Sequence, residues 1–95
     1  MKVSVEGTTI TITGNIKSPG DFQEIKSAVE GMLFKGPYLH FELHDCMSMT
    51  SSVIGYLNSM IHKEGAVVSM TVYDERLYEL LKDMKLIRPF NVNKR

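Results

Sequence analysis

The chain has 95 residues, which fits one domain spanning 1–95; at that length it can bury roughly 60–65% of its unfolded surface, leaving little room for a deep cleft. Apolar residues are 43% and charged residues 23% of the total, a balance that excludes an intrinsically disordered chain. Eleven basic residues against eleven acidic ones argue against a nucleic-acid-binding module, which carries a basic excess or stripe.

Val3 and Val5 alternate with Ser4 and Glu6, and Ile10 and Ile12 alternate with Thr9, Thr11 and Thr13. Both runs have the two-residue period of a half-buried strand, so a hairpin over residues 2–6 and 8–13 is expected around Gly7. Gly14-Asn15 breaks the second strand. Ser18-Pro19-Gly20-Asp21 reads as a helix start, with a capping serine, proline at the first helical position and an acid three residues on. Phe22, Ile25, Val29 and Met32/Leu33 follow at helical spacing, and Gly36-Pro37 stops the helix.

Leu39, Phe41 and Leu43 alternate with His40, Glu42 and His44, which predicts a third strand with the apolar set against the helices and the polar set outward. A polar loop from Asp45 to Met49 leads to a second helix, capped by Thr50 or Ser51. Its apolar stripe is Val53, Ile54, Leu57, Met60 and Ile61, and Gly65 stands where a left-handed cap belongs. Ala66, Val68, Met70 and Val72 make a fourth strand. Asp74 caps a third helix whose buried face is Leu77, Leu80, Leu81 and Met84, and Phe90-Asn91-Val92 forms a short last strand after Pro89. Strands 2, 3 and 4 are joined through helices and are therefore parallel, by right-handed crossovers. The fold class is α/β, a mixed sheet with an N-terminal hairpin.

Cys46 is the single cysteine, so no internal disulfide exists, and a domain without staples fits a reducing cytoplasm. Met1-Lys2 leads straight into the first strand, so no signal peptide is expected. No apolar run approaches the roughly 18 residues of a membrane span.

The order and spacing of these elements resemble a STAS domain, the fold of bacterial anti-sigma factor antagonists, over nearly the whole chain. Thr50-Ser51-Ser52-Val53-Ile54-Gly55-Tyr56-Leu57 is similar to the family's Asp-Ser-Ser/Thr-Gly-Leu-Gly-x-Leu. Lys63-Glu64-Gly65 before a strand is similar to its basic-x-Gly-Gly turn. Leu77-x-x-Leu80-Leu81 followed by Met84-Lys85-Leu86 stands where the family often has a Gly-Leu pair, and Ile12-Thr13-Gly14-Asn15-Ile16 fits its strand-Gly-x-Leu/Ile turn. Thr50 replaces the family's Asp, and Val53 replaces its Gly. The resemblance implies a cytoplasmic partner-switching protein without a cofactor, in which a kinase that doubles as an anti-sigma factor phosphorylates a serine. By position that serine is Ser51, with Ser52 as second choice.

The implied contact surface comprises Gly14, Asn15 and Ile16, the loop residues Met47, Ser48 and Met49, and the helix start Thr50, Ser51, Ser52 and Tyr56. Met47 and Met49 either fold into the core or form an apolar collar around the serines, as methionines do at adaptable surfaces. Independently of any family, a helix N-terminus favours an anion through unpaired N–H groups and the helix dipole. The simpler reading is that Thr50, Ser51 and Ser52 only cap the helix. Two further readings stand beside the partner switch: a STAS subunit of a larger, transporter-type assembly, and a metal-dependent or hydrolytic enzyme using His40, Glu42 and His44. Those three share a strand face but lack any metal-ligand spacing of known type, so no metal is expected.

Overall fold

In the computed structural model, which describes all 95 residues, the order is β1 (Lys2–Glu6), β2 (Thr9–Thr13), α1 (Pro19–Leu33), β3 (Tyr38–His44), α2 (Ser51–Glu64), β4 (Val67–Val72), α3 (Glu75–Asp83) and β5 (Val92–Lys94). The five strands form one sheet in the order β1-β2-β3-β4-β5. β1 and β2 pair antiparallel, and the pairs from β2 to β5 are parallel. The apolar residues of α1, α2 and α3 all enter the one core shared by Ile10, Ile12, Leu39, Phe41, Leu43, Val68, Met70 and Val72, so the three helices lie on the same face of the sheet. The sheet therefore has one face under helices and one open face.

The alternation sorts residues to those faces as expected. Leu39, Phe41 and Leu43 are buried, while His40, Glu42 and His44 are half-buried on the open side. Ile10 and Ile12 of β2 and Val68, Met70 and Val72 of β4 share the core with Ile25 and Val29 of α1, Val53, Ile54 and Leu57 of α2, and Leu77 and Leu81 of α3. Truncating a central member such as Phe41 to Ala would cost about 3–5 kcal/mol.

The caps explain where the helices begin. Ser18 accepts the Asp21 backbone N–H at 3.1 Å, and Asp21 accepts the Ser18 N–H in return at 3.2 Å, a complete capping box. Thr50 caps α2 and Asp74 caps α3. Gly65 ends α2 at φ 67, a conformation that suits a residue without Cβ.

Several positions differ from the sequence reading. Ala66 precedes β4 instead of opening it, and Leu80 of α3 is only half-buried. Thr8 belongs to the turn of the hairpin and the second strand starts at Thr9. Met60 and Ile61 are only half-buried. Met84 lies past the end of α3 and is 46% exposed instead of completing its buried face. Phe90 and Asn91 form a turn, not a strand, with Phe90 buried as a core anchor. Asn91, at φ 46, sends its side-chain N–H to the Val68 carbonyl at 2.7 Å and so aligns β5 beside β4.

Candidate functional site

The loops that follow β2 and β3 meet at the C-terminal ends of those strands. Gly14, at φ 98, donates its N–H to the His44 carbonyl at 2.9 Å, which keeps the two strand ends together. A Cβ on Gly14 would come 3.3 Å from the Met1 backbone, a second reason for glycine there. Asp45 takes φ 51, a conformation that Asp tolerates better than most residues, and turns the chain out of β3. Asn15 then accepts the Met47 backbone N–H through Oδ1 at 2.9 Å. The two loops are thereby tied into one surface.

Within that surface some side chains anchor the loops and others are displayed. Cys46 is buried, donates from Sγ to the Ser48 carbonyl at 3.3 Å, and has its pKa raised by burial. Met49 is 7% exposed and belongs to the core, whereas Met47 is 40% exposed. Ile16 is buried as well. Of the residues expected to touch a partner, Ile16 and Met49 are thus almost wholly buried and pack in the core, which leaves them little side-chain surface for a contact. Gly14 and Asn15 are half-buried, and Met47 and Ser48 remain displayed.

Thr50 is the cap of α2. Its Oγ1 accepts the Val53 N–H at 3.3 Å, which settles the alternative between Thr50 and Ser51. Val53, a β-branched residue where glycine was noted in the resemblance, is buried in the first turn without a positive φ. Ser51 and Ser52 are exposed. The first turn of α2 contains no acidic residue, so the positive end of its dipole is unneutralised from within the helix. The N-terminal ends of α1 and α2 flank a shallow cleft of about 190 Å³ lined by Lys17, Ser18, Pro19, Phe22, Thr50 and Ser52. Tyr56 sits behind it, edge-on to Phe22 with ring centres 5.7 Å apart. Its Oη is buried without a hydrogen-bond partner; burial raises its pKa, and the negative charges of Glu30 and Glu64 add to the shift. Tyr56 therefore braces the two helices more than it faces outward.

The open face of the sheet carries the second cluster. His40 lies between Ser69 and Glu42, with Nδ1 2.7 Å from Ser69 Oγ and Nε2 2.8 Å from Glu42 Oε2. A carboxylate only accepts, so Nε2–H donates to Glu42; in the neutral ring Nδ1 then accepts the Ser69 hydroxyl. Tyr73 donates its hydroxyl to Glu42 Oε1 at 2.9 Å, His44 stacks on Tyr73 at 4.3 Å, and the His44 Nε2 lies 3.6 Å from Glu42 Oε1. Burial pushes the Glu42 carboxyl up, but hydrogen bonds from His40, Tyr73 and Thr71 outweigh it and hold the group below its ordinary value. Sequence spacing placed His40, Glu42 and His44 on one face; Ser69 and Thr71 enter only through the register of β3 with β4, and Tyr73 through the residue that follows β4.

This order of serine, imidazole and carboxylate is that of a general-base relay, but its setting differs from a hydrolytic site. It lies on a flat face, with strand backbone N–H groups committed to the sheet ladder where an oxyanion would need donors. The three cavities of the molecule lie elsewhere. Strand order never reverses, so the sheet has no switch point to open a ligand crevice. No group of three His, Cys, Asp or Glu side chains converges in metal-binding geometry. The largest cavity, about 510 Å³, opens between the far ends of α1 and α2, lined by Glu30, Leu33, Phe34, Met60 and Glu64. Phe34 is 93% exposed there; the Met32-Leu33-Phe34 run was its only signal in the sequence, and helical spacing assigned just Met32 and Leu33 to the core.

No protein-family model, curated protein or solved structure matches the chain. No helix is long and apolar enough to cross a membrane.

Proposed function

We propose that the chain is a protein-interaction module of the STAS type, acting as an anti-sigma factor antagonist or a related partner-switching component. The observation that carries this reading is the pairing of exposed Ser51 and Ser52, at the start of α2, with a displayed Met47 in the loop before it, a loop that Asn15 ties to the one after β2. Met47 supplies an adaptable apolar contact, and the serines supply hydroxyls at the positive end of α2. A phosphate on Ser51 would add roughly −1.5 to −2 charges there. Thr50 caps the helix without itself bringing a negative charge, and Lys17 lines the same cleft, so the unmodified surface is positive at that point and a single phosphate reverses its character. The cytoplasm is the compartment in which such a switch works.

A further observation fits the resemblance. Leu86 donates its N–H to the Leu81 carbonyl at 2.8 Å and Lys85 donates to Lys82 at 3.0 Å, with Lys85 at φ 60. That is the hydrogen-bond pattern of a Schellman cap, whose left-handed position favours glycine. Lys85-Leu86 stands where the resemblance has Gly-Leu, so the position keeps the glycine conformation without the glycine.

The test compares immobilised wild type, Ser51→Ala and Ser51→Asp in extracts of the cells that produce the protein. A partner held by wild type and Ser51→Ala but at least tenfold more weakly by Ser51→Asp supports the switch; equal retention by all three, or none by wild type, contradicts it. Intact-mass measurement of the protein from those cells reads the phosphate directly.

A further inference from the structure

β1 is the outer strand of the sheet, and its backbone shows which groups are unspent. The His40 N–H bonds the Thr8 carbonyl at 2.9 Å, so in this stretch Thr8, Ile10 and Ile12 direct their backbone groups to β3. Thr9, Thr11 and Thr13 therefore direct theirs to β1, where they face Glu6, Ser4 and Lys2. The N–H and C=O groups of Val3 and Val5 are left pointing away from the sheet. A free edge is blunted by shortness, by charges such as lysine, or by proline, a bulge or an inward charge; β1, five residues long, carries a lysine only at its first position, and the last three devices are the ones that would prevent pairing outright. β1 has no proline, bulge or inward charge: its register with β2 runs unbroken from Lys2↔Thr13 to Glu6↔Thr9, and its two charges stand at its two ends with opposite signs.

We propose that β1 is a dimerisation strand that pairs antiparallel with β1 of a second copy, about a two-fold axis through Ser4. The segment Lys2-Val3-Ser4-Val5-Glu6 is self-complementary in that register. Val3 meets Val5 of the other copy, and those are the residues with free backbone groups, so both valine pairs fall at hydrogen-bonded positions and four ladder bonds form. Val3 and Val5 share the face of Ile12 and Ile10, so their side chains extend the apolar layer across the junction. Val5 is 46% exposed in the single chain and would be covered. On the open face, Lys2 lies opposite Glu6 of the other copy, twice by symmetry. Opposite charges directly across strands attract and like charges repel, so the arrangement also selects the register. A parallel pairing in register would instead set Lys2 against Lys2 and Glu6 against Glu6. The two sheets would become one of ten strands.

Sedimentation equilibrium of the purified chain up to about 1 mM, the weak end of measurable association, tests this. Wild type should show a monomer–dimer equilibrium. Lys2→Glu and Glu6→Lys should each weaken it at least tenfold. An equimolar mixture of those two variants, and the double variant Lys2→Glu/Glu6→Lys, should recover it, because both restore opposite charges across the junction. Within one chain Lys2 and Glu6 face Thr13 and Thr9, so the exchange leaves the hairpin neutral; circular dichroism checks that each variant is folded. Monomeric wild type at every concentration overturns the proposal. So does a folded single variant that dimerises like wild type, or failure of the double variant to recover.

Discussion

Asn15 and Met47, thirty-two positions apart in sequence, are joined by a hydrogen bond in which the Asn15 carboxamide oxygen accepts the Met47 backbone N–H at 2.9 Å. This bond decides how the loop after β3 lies against the turn after β2, and so where Met47 and the serines stand. Asn15→Ala should lower stability by about 0.5–1.5 kcal/mol in urea unfolding, the usual value of one such bond. Met47 should also lose its fixed position, so its methyl resonance should move toward the random-coil shift. An unchanged unfolding midpoint together with an unchanged Met47 methyl would show that the tie holds nothing.

Thr50 and Ser51 are adjacent but do different work. Thr50→Ala removes the hydroxyl that accepts the Val53 N–H and should cost about 1 kcal/mol. Ser51→Ala removes an exposed hydroxyl with no internal partner and should change stability by less than about 0.5 kcal/mol. Parallel urea titrations of both variants decide it; the reverse order of costs would move the cap to Ser51.

Lys85 occupies the left-handed position that closes α3, at φ 60. A side chain there costs about 1–2 kcal/mol of backbone strain, partly offset by the entropy that glycine loses on folding. Lys85→Gly should therefore raise stability by about 0.5–1 kcal/mol, read as a higher melting temperature. A lower melting temperature would mean that the lysine side chain outweighs the strain.

The acid range should expose the caps of α1 and α3. Arg76 hydrogen-bonds and pairs with Asp74 and lowers its carboxyl pKa from 3.8 to about 2. Backbone hydrogen bonds from Lys17 and Ser18 lower that of Asp21 in the same direction. Because these folded-state values lie below the unfolded one, the stabilisation is complete above the ordinary carboxylate value. It fades as pH falls through the folded value. Asp74→Asn, which keeps a capping oxygen, should flatten part of the fall in melting temperature between pH 4 and pH 2. An unaltered acid profile would show that the charge of Asp74 contributes nothing to folding.

What the sequence made legible follows from periodicity and punctuation. Leu39, Phe41 and Leu43 alternate over a whole strand, so their register had one solution; Ser18-Pro19-Gly20-Asp21 carries a complete cap signal. Met49 and Met47 were not separable because a loop has no period: the left-handed turn at Asp45 and the tie at Asn15 send one inward and one outward. Ser69 and Tyr73 could not be joined to His40 and Glu42 from the chain alone, since only the pairing of β3 with β4 makes them neighbours. Asn91 misread as strand for a similar reason: its left-handed φ is compensated by a bond to Val68 that lies 23 positions away.

The central claim is that the loop of Met47 and the start of α2 meet another protein. A photo-crosslinking amino acid placed at position 51, and separately at position 69 on the open face, measures this inside the producing cells. Irradiation should give a covalent adduct of one discrete mass from position 51, weakened when Met47→Asp is added, and none of that mass from position 69. No adduct from position 51, or the same adduct from position 69 alone, would contradict the claim.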